Sequence, residues 1–548
     1  MRGAGASPDR LGAMAAFVGL LFLVPVASSA RSGASVLAQR RYREGGTFRI
    51  SAARFDTVDP ALADQWWAES ATCALLLTYP DKQPPAGFRV APEVAAAYPR
   101  LSNHARTYTF TVRKGFRFST GARVRAENFA YALNRVLAMQ SPYAQFIGDI
   151  VGADDVLHGK TRSARGIRVR ANRLIVTLTR PVGDFPARMT LPAFCPVPTD
   201  YPIDPEGVQT PPPGSGPYYI ASWKKNESAV IKRNPYYRGR RPHHVERFVV
   251  AVRGDPEAVT SDVEANRADW GCGVAADCHD VPSAAAIPRL VAKYGINRSR
   301  FFQRPGTIIF YLALNTQRPL FRNNPTLRRA INLALDRRAL IREQGRYFGS
   351  PADQYLPPLS PGARKRGFYP LRHPNLAAAR RLARGHLRSR TAVLYCPDTR
   401  LEQAQIVRDE LARLGLQVEI KSFPSGFYLK VGTRGEPFDL AVQGWGGLWA
   451  DPYVYVNELL DGRTIKATNN FNTSYFDSPR YNRRMARASQ LSGPARYRAY
   501  GALAADLERG PAPLAVFGAR NDTYFFSSRV RCAAFTAIGI DLASVCLR

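Results

Sequence analysis

The sequence predicts an α/β fold, on three observations. Apolar residues alternate with polar ones at Tyr108, Phe110 and Val112, and again at Leu416, Val418 and Ile420, the period of half-buried strands. Helical spacing governs other stretches, such as Phe129, Leu133, Val136 and Leu137 on one face and Leu327, Ile331, Ala334 and Leu335 on another. In the second half the two patterns take turns as strand–helix–strand units, which require parallel pairing across a helical crossover.

The elements follow in order. Gly45-Gly46-Thr47-Phe48-Arg49-Ile50 reads as the first strand, after a polar connector over 31–44. Tyr108 to Val112 is a second, and Phe116 with Phe118 a third, ended by Gly121. A helix opens near Ala126, although Arg125 occupies the place of a capping side chain. Val169 and the run Leu174-Ile175-Val176-Thr177-Leu178 flank Ala171-Asn172 as a hairpin. Thr210-Pro211-Pro212-Pro213-Gly214-Ser215-Gly216-Pro217 breaks all regular structure and is expected to cross between lobes. Pro325 opens a helix and Asp336 caps the next. Thr391 to Tyr395 is a strand, Asp398 or Thr399 caps a helix carrying Ile406, Leu411 and Leu414, and Gly415 supplies its left-handed terminus. Phe438 to Val442 forms another strand.

A chain of 548 residues exceeds one ordinary core, so several lobes are expected. Its formal charge is +34, yet the basic residues are scattered and no Lys/Arg run reaches five, so the balance reads as solvated surface with no nucleic-acid partner. At the N-terminus, Arg2 and Arg10 precede the apolar stretch 11–26 and the small residues Ala27-Ser28-Ser29-Ala30, the layout of a secretory signal over 1–30. The competing reading is an uncleaved anchor. No cysteine follows that stretch, which argues against a lipoprotein anchor. Export places the protein in the periplasm or on the outer face of the cytoplasmic membrane. Seven cysteines suit an oxidising compartment; Cys272 with Cys278 and Cys532 with Cys546 are close enough for local bridges, and one must stay free. Cys272, Cys278 and His279 lack a second ligand pair for zinc, so no metal site is expected.

Four ordered segments resemble the extracellular solute-binding proteins of family 5, which include dipeptide- and oligopeptide-binding proteins. They are Tyr108-Thr109-Phe110-Thr111-Val112-Arg113-Lys114-Gly115-Phe116-Arg117-Phe118 with Ala126-Glu127-Asn128-Phe129; Gly214-Ser215-Gly216-Pro217-Tyr218 with Arg233-Asn234-Pro235-Tyr236-Tyr237; Leu314-Asn315 with Arg328-Arg329-Ala330-Ile331-Asn332 and Ala334-Leu335-Asp336-Arg337; and Phe438-Asp439-Leu440 leading to Gly444-Trp445 and Asp451-Pro452. The resemblance implies a two-lobe periplasmic-binding-protein-like fold of the class II (cluster C) kind, with an extra N-terminal subdomain and a ligand cleft between the lobes. It further implies an N-terminal lobe over 45–307 with the subdomain inserted at about 63–200, a C-terminal α/β lobe over 308–505, and a segment 506–548 returning to the first lobe. Segments 205–216 and 304–310 are expected to absorb hinge rotation. The implied function is capture of peptides or peptide-like solutes for the permease subunits of an ABC importer, by a monomer. Sensory presentation to a receptor, or a non-peptide ligand such as a nickel complex, haem or an oligosaccharide, is the alternative.

Candidate ligand-binding residues follow from the resemblance and from aromatic chemistry, since large rigid rings suit a pocket wall. They are Gly444, Trp445 and Trp449 around the strand end, Trp66 and Trp67 after the first strand, Asn472, and Arg54 as a carboxylate fork. Relatives usually hold a peptide's amine with an Asp three residues after the Trp; here that residue is Leu448. Asp451 either substitutes for it through the flexible Gly446-Gly447 or belongs to a structural Asp-Pro turn. No H-E-x-x-H, G-x-S-x-G or P-loop pattern occurs, so neither an enzyme nor a cofactor is expected. Gly271-Cys272-Gly273 only loosely matches a dinucleotide loop.

Overall fold

Phe48 and Ile50 alternate inward on the strand Thr47–Ala52, and this strand organises the first of five sheets among the described residues. The computed structural model describes residues 43–548 except 63–64, 84, 274–277, 279–280, 365–366 and 538. The expected signal, most of the connector and His279 lie outside them. The first sheet runs Trp270–Cys272, Thr47–Ala52, Arg247–Val252, Ser228–Arg233, Tyr218–Lys224, with parallel pairing at the first two contacts and antiparallel at the rest. Phe48 meets Phe248 edge-on at 5.6 Å, and Leu542 and Val545 of the C-terminal hairpin join the same buried cluster. Each such ring or aliphatic side chain removed from water contributes roughly 1.5–3 kcal/mol.

The inserted subdomain is a four-stranded antiparallel sheet, Arg100–Ser102, Thr107–Thr111, Arg173–Thr177 and Ile167–Arg170, covered by the helix Ala126–Ala138. Phe110, Leu174 and Val176 meet Phe129 and Leu133 there. The Arg125 amide donates to the Asn128 side chain at 2.8 Å, so the helix end is satisfied in the reverse sense. The expected strand at Phe116 and Phe118 is instead a loop with one isolated bridge, Arg117 to Arg123. Its rings are buried, but Gly115 and Gly121, both at positive φ, turn the chain too tightly for a ladder.

The C-terminal lobe holds a six-stranded sheet ordered Gly349–Pro351, Leu514–Phe525, Phe301–Leu314, Leu440–Gly446, Thr391–Pro397, Gln417–Phe423. Thr391–Pro397 pairs in parallel with both neighbours, as its strand–helix–strand pattern requires. Asp336 caps Arg337–Glu343 through the amides of Arg338 and Ala339, and Gly415 stands at φ 86°. Neither Asp398 nor Thr399 caps the helix Leu401–Ala412; a single 3₁₀ turn over Asp398–Arg400 leads into it.

Two long strands join the lobes. Phe301–Leu314 and Leu514–Phe525 pair antiparallel along their length, with Phe302 and Tyr524 in the N-terminal core and Leu312, Leu314 and Phe517 in the C-terminal one. Their register breaks between Pro305 and Ile309, inside the segment 304–310 expected to flex. Segment 205–216 is not a crossing. It returns from the inserted subdomain to the first sheet, pinned by Asp59 on the Val208 amide and by the Thr72 carbonyl on the Gly216 amide.

The local bridges Cys272–Cys278 and Cys532–Cys546 form, and a third, Cys73–Cys195, joins residues 122 apart. Cys396 is free and buried, and burial pushes its thiol up to about 11.

Several buried acids make stability depend on pH, Glu410 and Glu508 among them. Burial pushes Glu410 and Glu508 up to about 8, even though each accepts a backbone amide, from Asp336 at 2.7 Å and from Tyr355 at 2.6 Å. An unfolded Glu ionises near ~4.3. Between that value and about 8 the unfolded chain loses a proton that the native state keeps, so stability is full below the window and falls as pH rises through it. Each group contributes at most about 1.4 kcal/mol per pH unit. Urea unfolding is expected to give a lower midpoint at pH 8 than at pH 5.5, with a shallower fall in Glu508→Gln. A midpoint that rises across this range would contradict the assignment.

Candidate ligand cleft

Strand Leu440–Gly446 divides its side chains between two environments. Leu440 and Val442 enter the C-terminal core, while Ala441, Gln443 and Trp445 face the opposite side, towards the inserted subdomain. There a cavity of about 790 Å³ opens between the lobes. Trp445, Tyr428 and Phe471 line its C-terminal wall, and Phe146, Asp149, Arg180 and Arg188 its N-terminal wall. Trp445 is half-buried, its Nε1 donates to the Val454 carbonyl at 2.7 Å, and its ring meets Phe471 at 4.7 Å. Tyr428 is 66% exposed and Phe471 46%, so this aromatic wall is uncovered on the cavity side. Gln443 is fixed by the Thr473 hydroxyl at 2.7 Å.

The polar lining is mostly self-paired. Asp149 accepts both Nε and Nη2 of Arg180, at 2.8 and 3.1 Å, and Nη1 of Arg188 at 3.4 Å. Arg188 also binds Asp184 at 3.0 Å and lies over the rings of Trp449 and Tyr453. Glu458, on the helix Tyr453–Leu460, lines the cavity without a hydrogen bond or ion pair to any described residue. Burial pushes its carboxyl up to about 8, against the attraction of Arg188. Lys466 lines the same cavity.

A two-lobe body with two crossing strands and an aromatic cleft between the lobes matches a known family. The model of the bacterial extracellular solute-binding proteins, family 5, matches residues 57–467. The chain belongs to that family. It is 26% identical over 432 residues to the periplasmic oligopeptide-binding protein OppA of Escherichia coli K12, spanning 74% of each chain. Among solved structures, the clavulanic acid biosynthesis oligopeptide binding protein 2 superposes with a TM-score of 0.81 at 23% identity, covering 92% of this chain and 96% of that one. The unliganded open form of the murein tripeptide binding protein MppA gives 0.76 at 20%, covering 92% and 98%.

Of the residues expected to touch ligand in this family 5 protein, Trp445 lines the cavity; the others are engaged elsewhere. Gly444 points into the C-terminal core, where a Cβ would come within 3.0 Å of the Phe310 ring. Trp449 is buried against Phe146 at 5.2 Å, sealing the lobes together beside the cavity, and the Ala450 amide donates to the Tyr79 hydroxyl at 2.7 Å. Asp451 is closed by Arg496, which binds both of its oxygens. Asn472 spends its side chain on a turn, accepting from Ser474 and the Phe476 amide and donating to the Phe476 carbonyl. Trp66 donates to the Tyr143 hydroxyl, and Trp67 packs on Phe55 and Trp270 in the N-terminal core. Arg54 is half-buried in an ion pair with Asp56 at 3.3 Å.

Tyr428, Phe471, Arg180 and Glu458 line the cavity and are not among the residues expected from the sequence. Phe471 is the immediate neighbour of Asn472, whose own side chain is spent on its turn. Glu458 had a signal: it is the one charged residue in the run Tyr453-Val454-Tyr455-Val456-Asn457-Glu458-Leu459-Leu460.

Proposed function

We propose that this protein captures peptides or peptide-like solutes outside the cytoplasmic membrane and hands them to the permease subunits of an ABC importer. The supporting observation is the uncovered aromatic wall of Trp445, Tyr428 and Phe471 in a cavity of about 790 Å³, the scale of a small-molecule or short-peptide site. Its relatives, an oligopeptide-binding and a murein tripeptide-binding protein, point the same way. On this reading residues 45–307 form one lobe with the chain end beyond the crossing strand Leu514–Phe525, and 308–505 form the other with the start of that strand. The expected boundary at 506 therefore moves into the strand. The broken register between Pro305 and Ile309 is the hinge, and ligand favours the closed form by touching both walls. The basic and apolar layout of residues 1–30 supports export. The role is binding and release, with no covalent step.

Native mass spectrometry of the purified protein identifies the co-purifying ligand. That ligand, at about 100 times its Kd, is expected to add about 2.7 kcal/mol of stability and to shrink the radius of gyration in scattering. Trp445→Ala is expected to abolish most of the added stability. An unchanged shift in the variant would place the ligand elsewhere.

A further inference from the structure

We propose that Glu458 is the carboxylate that receives the ligand's ammonium group, in place of the acid that position 448 lacks. This deepens the reading of the cavity as a peptide site and rests on it. An ammonium withdrawn from water needs a counter-charge, because an unpaired buried ion costs several kcal/mol. Leu448 cannot supply one; it packs at the edge of the core. Asp451, the nearest acid in sequence, has both oxygens bound to Arg496 at 3.0 and 2.9 Å. Asp149 borders the cavity but is taken by Arg180 and Arg188. Among the described acids lining the cavity, Glu458 alone makes no hydrogen bond or ion pair.

The helix places this carboxylate well. The Val454 carbonyl points along the axis towards residue 458, one turn on, and the Trp445 indole donates to that same carbonyl. The indole therefore lies alongside the turn that carries Glu458. An ammonium held there meets a carboxylate and an aromatic ring together, two attractions that reinforce each other. The helix itself is fixed: Tyr455 donates to the Thr307 carbonyl and Asn457 accepts from the Tyr500 hydroxyl, so the acid need not be ordered on binding. Without ligand its charge is poorly supported, since burial holds the carboxyl near its neutral form and Arg188 is committed to Asp184 and Asp149.

The test compares an equimolar mixture of free tripeptides with the same mixture N-acetylated, by thermal shift and then by calorimetry on the best single peptide. The wild type is expected to lose at least tenfold in affinity on acetylation. Glu458→Gln is expected to bind the free peptide at least tenfold more weakly and to lose its preference over the acetylated one. Glu458→Asp, which keeps the charge one methylene shorter, is expected to retain the preference. If Glu458→Gln binds and discriminates like the wild type, the proposal is overturned while the peptide reading stands. If the wild type binds neither mixture, the peptide reading fails and this proposal with it.

Discussion

Asp451→Ala is expected to destabilise the ligand-free protein by ~3–5 kcal/mol, the cost of leaving a buried guanidinium without its partner. Arg496 reaches Asp451 through Nε and Nη2, at 3.0 and 2.9 Å, and Oδ1 also accepts the Tyr453 amide at 2.8 Å. The remaining Nη1 donates to the carbonyls of Ala488 and Ser489, and the guanidinium lies 4.8 Å from the Tyr500 ring centre. The two side chains are 2% and 5% exposed. Burial opposes the charge on Arg496, and the attraction of Asp451 outweighs it, holding the group above its ordinary value. The pair ties the segment after the Trp445 strand to the helix Gly493–Arg509. Arg496→Ala should cost a similar amount, and the double variant clearly less than the sum, because its second change removes a charge already orphaned. Urea unfolding of the three variants measures this. If Asp451→Ala kept wild-type stability yet lost ligand binding, Asp451 would return as a ligand contact.

The fold was legible where local chemistry carries the signal. Period-2 alternation located the strands around Tyr108 and Val418, and helical spacing located Ala126–Ala138 and Pro325–Ala334, because both depend on neighbours within a turn or two. Phe116 and Phe118 misled for the same reason: alternation registers burial, and a loop between two glycines buries alternate rings as well as a strand does. No strand was expected at Leu514–Phe525, because it is buried on both faces and offers no alternation at all.

The cleft was harder to read because its residues are defined by what their side chains do not touch. Trp445 was expected from its place at a strand end, and it lines the cavity. Asp451 and Asn472 were equally good polar candidates on paper, but the partner of Asp451 lies 45 residues away, and Asn472 turns inward to satisfy its own backbone. Glu458 stands out only beside the other acid lining the cavity, Asp149, which Arg180 and Arg188 already hold.

The Cys73–Cys195 bridge shows the same dependence on distance, and its removal should have the largest covalent effect. Cys73 follows the helix Trp66–Thr72 and Cys195 follows the turn Pro192–Phe194, so the bridge closes the base of the inserted subdomain, with its sheet and long helix inside the loop. Closing a loop restricts the unfolded chain roughly as the logarithm of its length, and a loop of 122 residues gives up to about 5 kcal/mol. The same relation gives only about 2 kcal/mol for the six-residue loop of Cys272–Cys278 and about 3 kcal/mol for the fourteen of Cys532–Cys546. The double variant Cys73→Ser/Cys195→Ser, which leaves no new thiol, is therefore expected to fall furthest of the three paired removals in urea midpoint. Cys396 is buried with a raised thiol, so it offers little thiolate to reshuffle the others. Equal losses for all three bridges would show that native-state strain or packing, and not loop closure, sets their contribution. A loss confined to proteolysis inside 73–195, with the global midpoint unchanged, would show instead that the inserted subdomain unfolds on its own once its base is released.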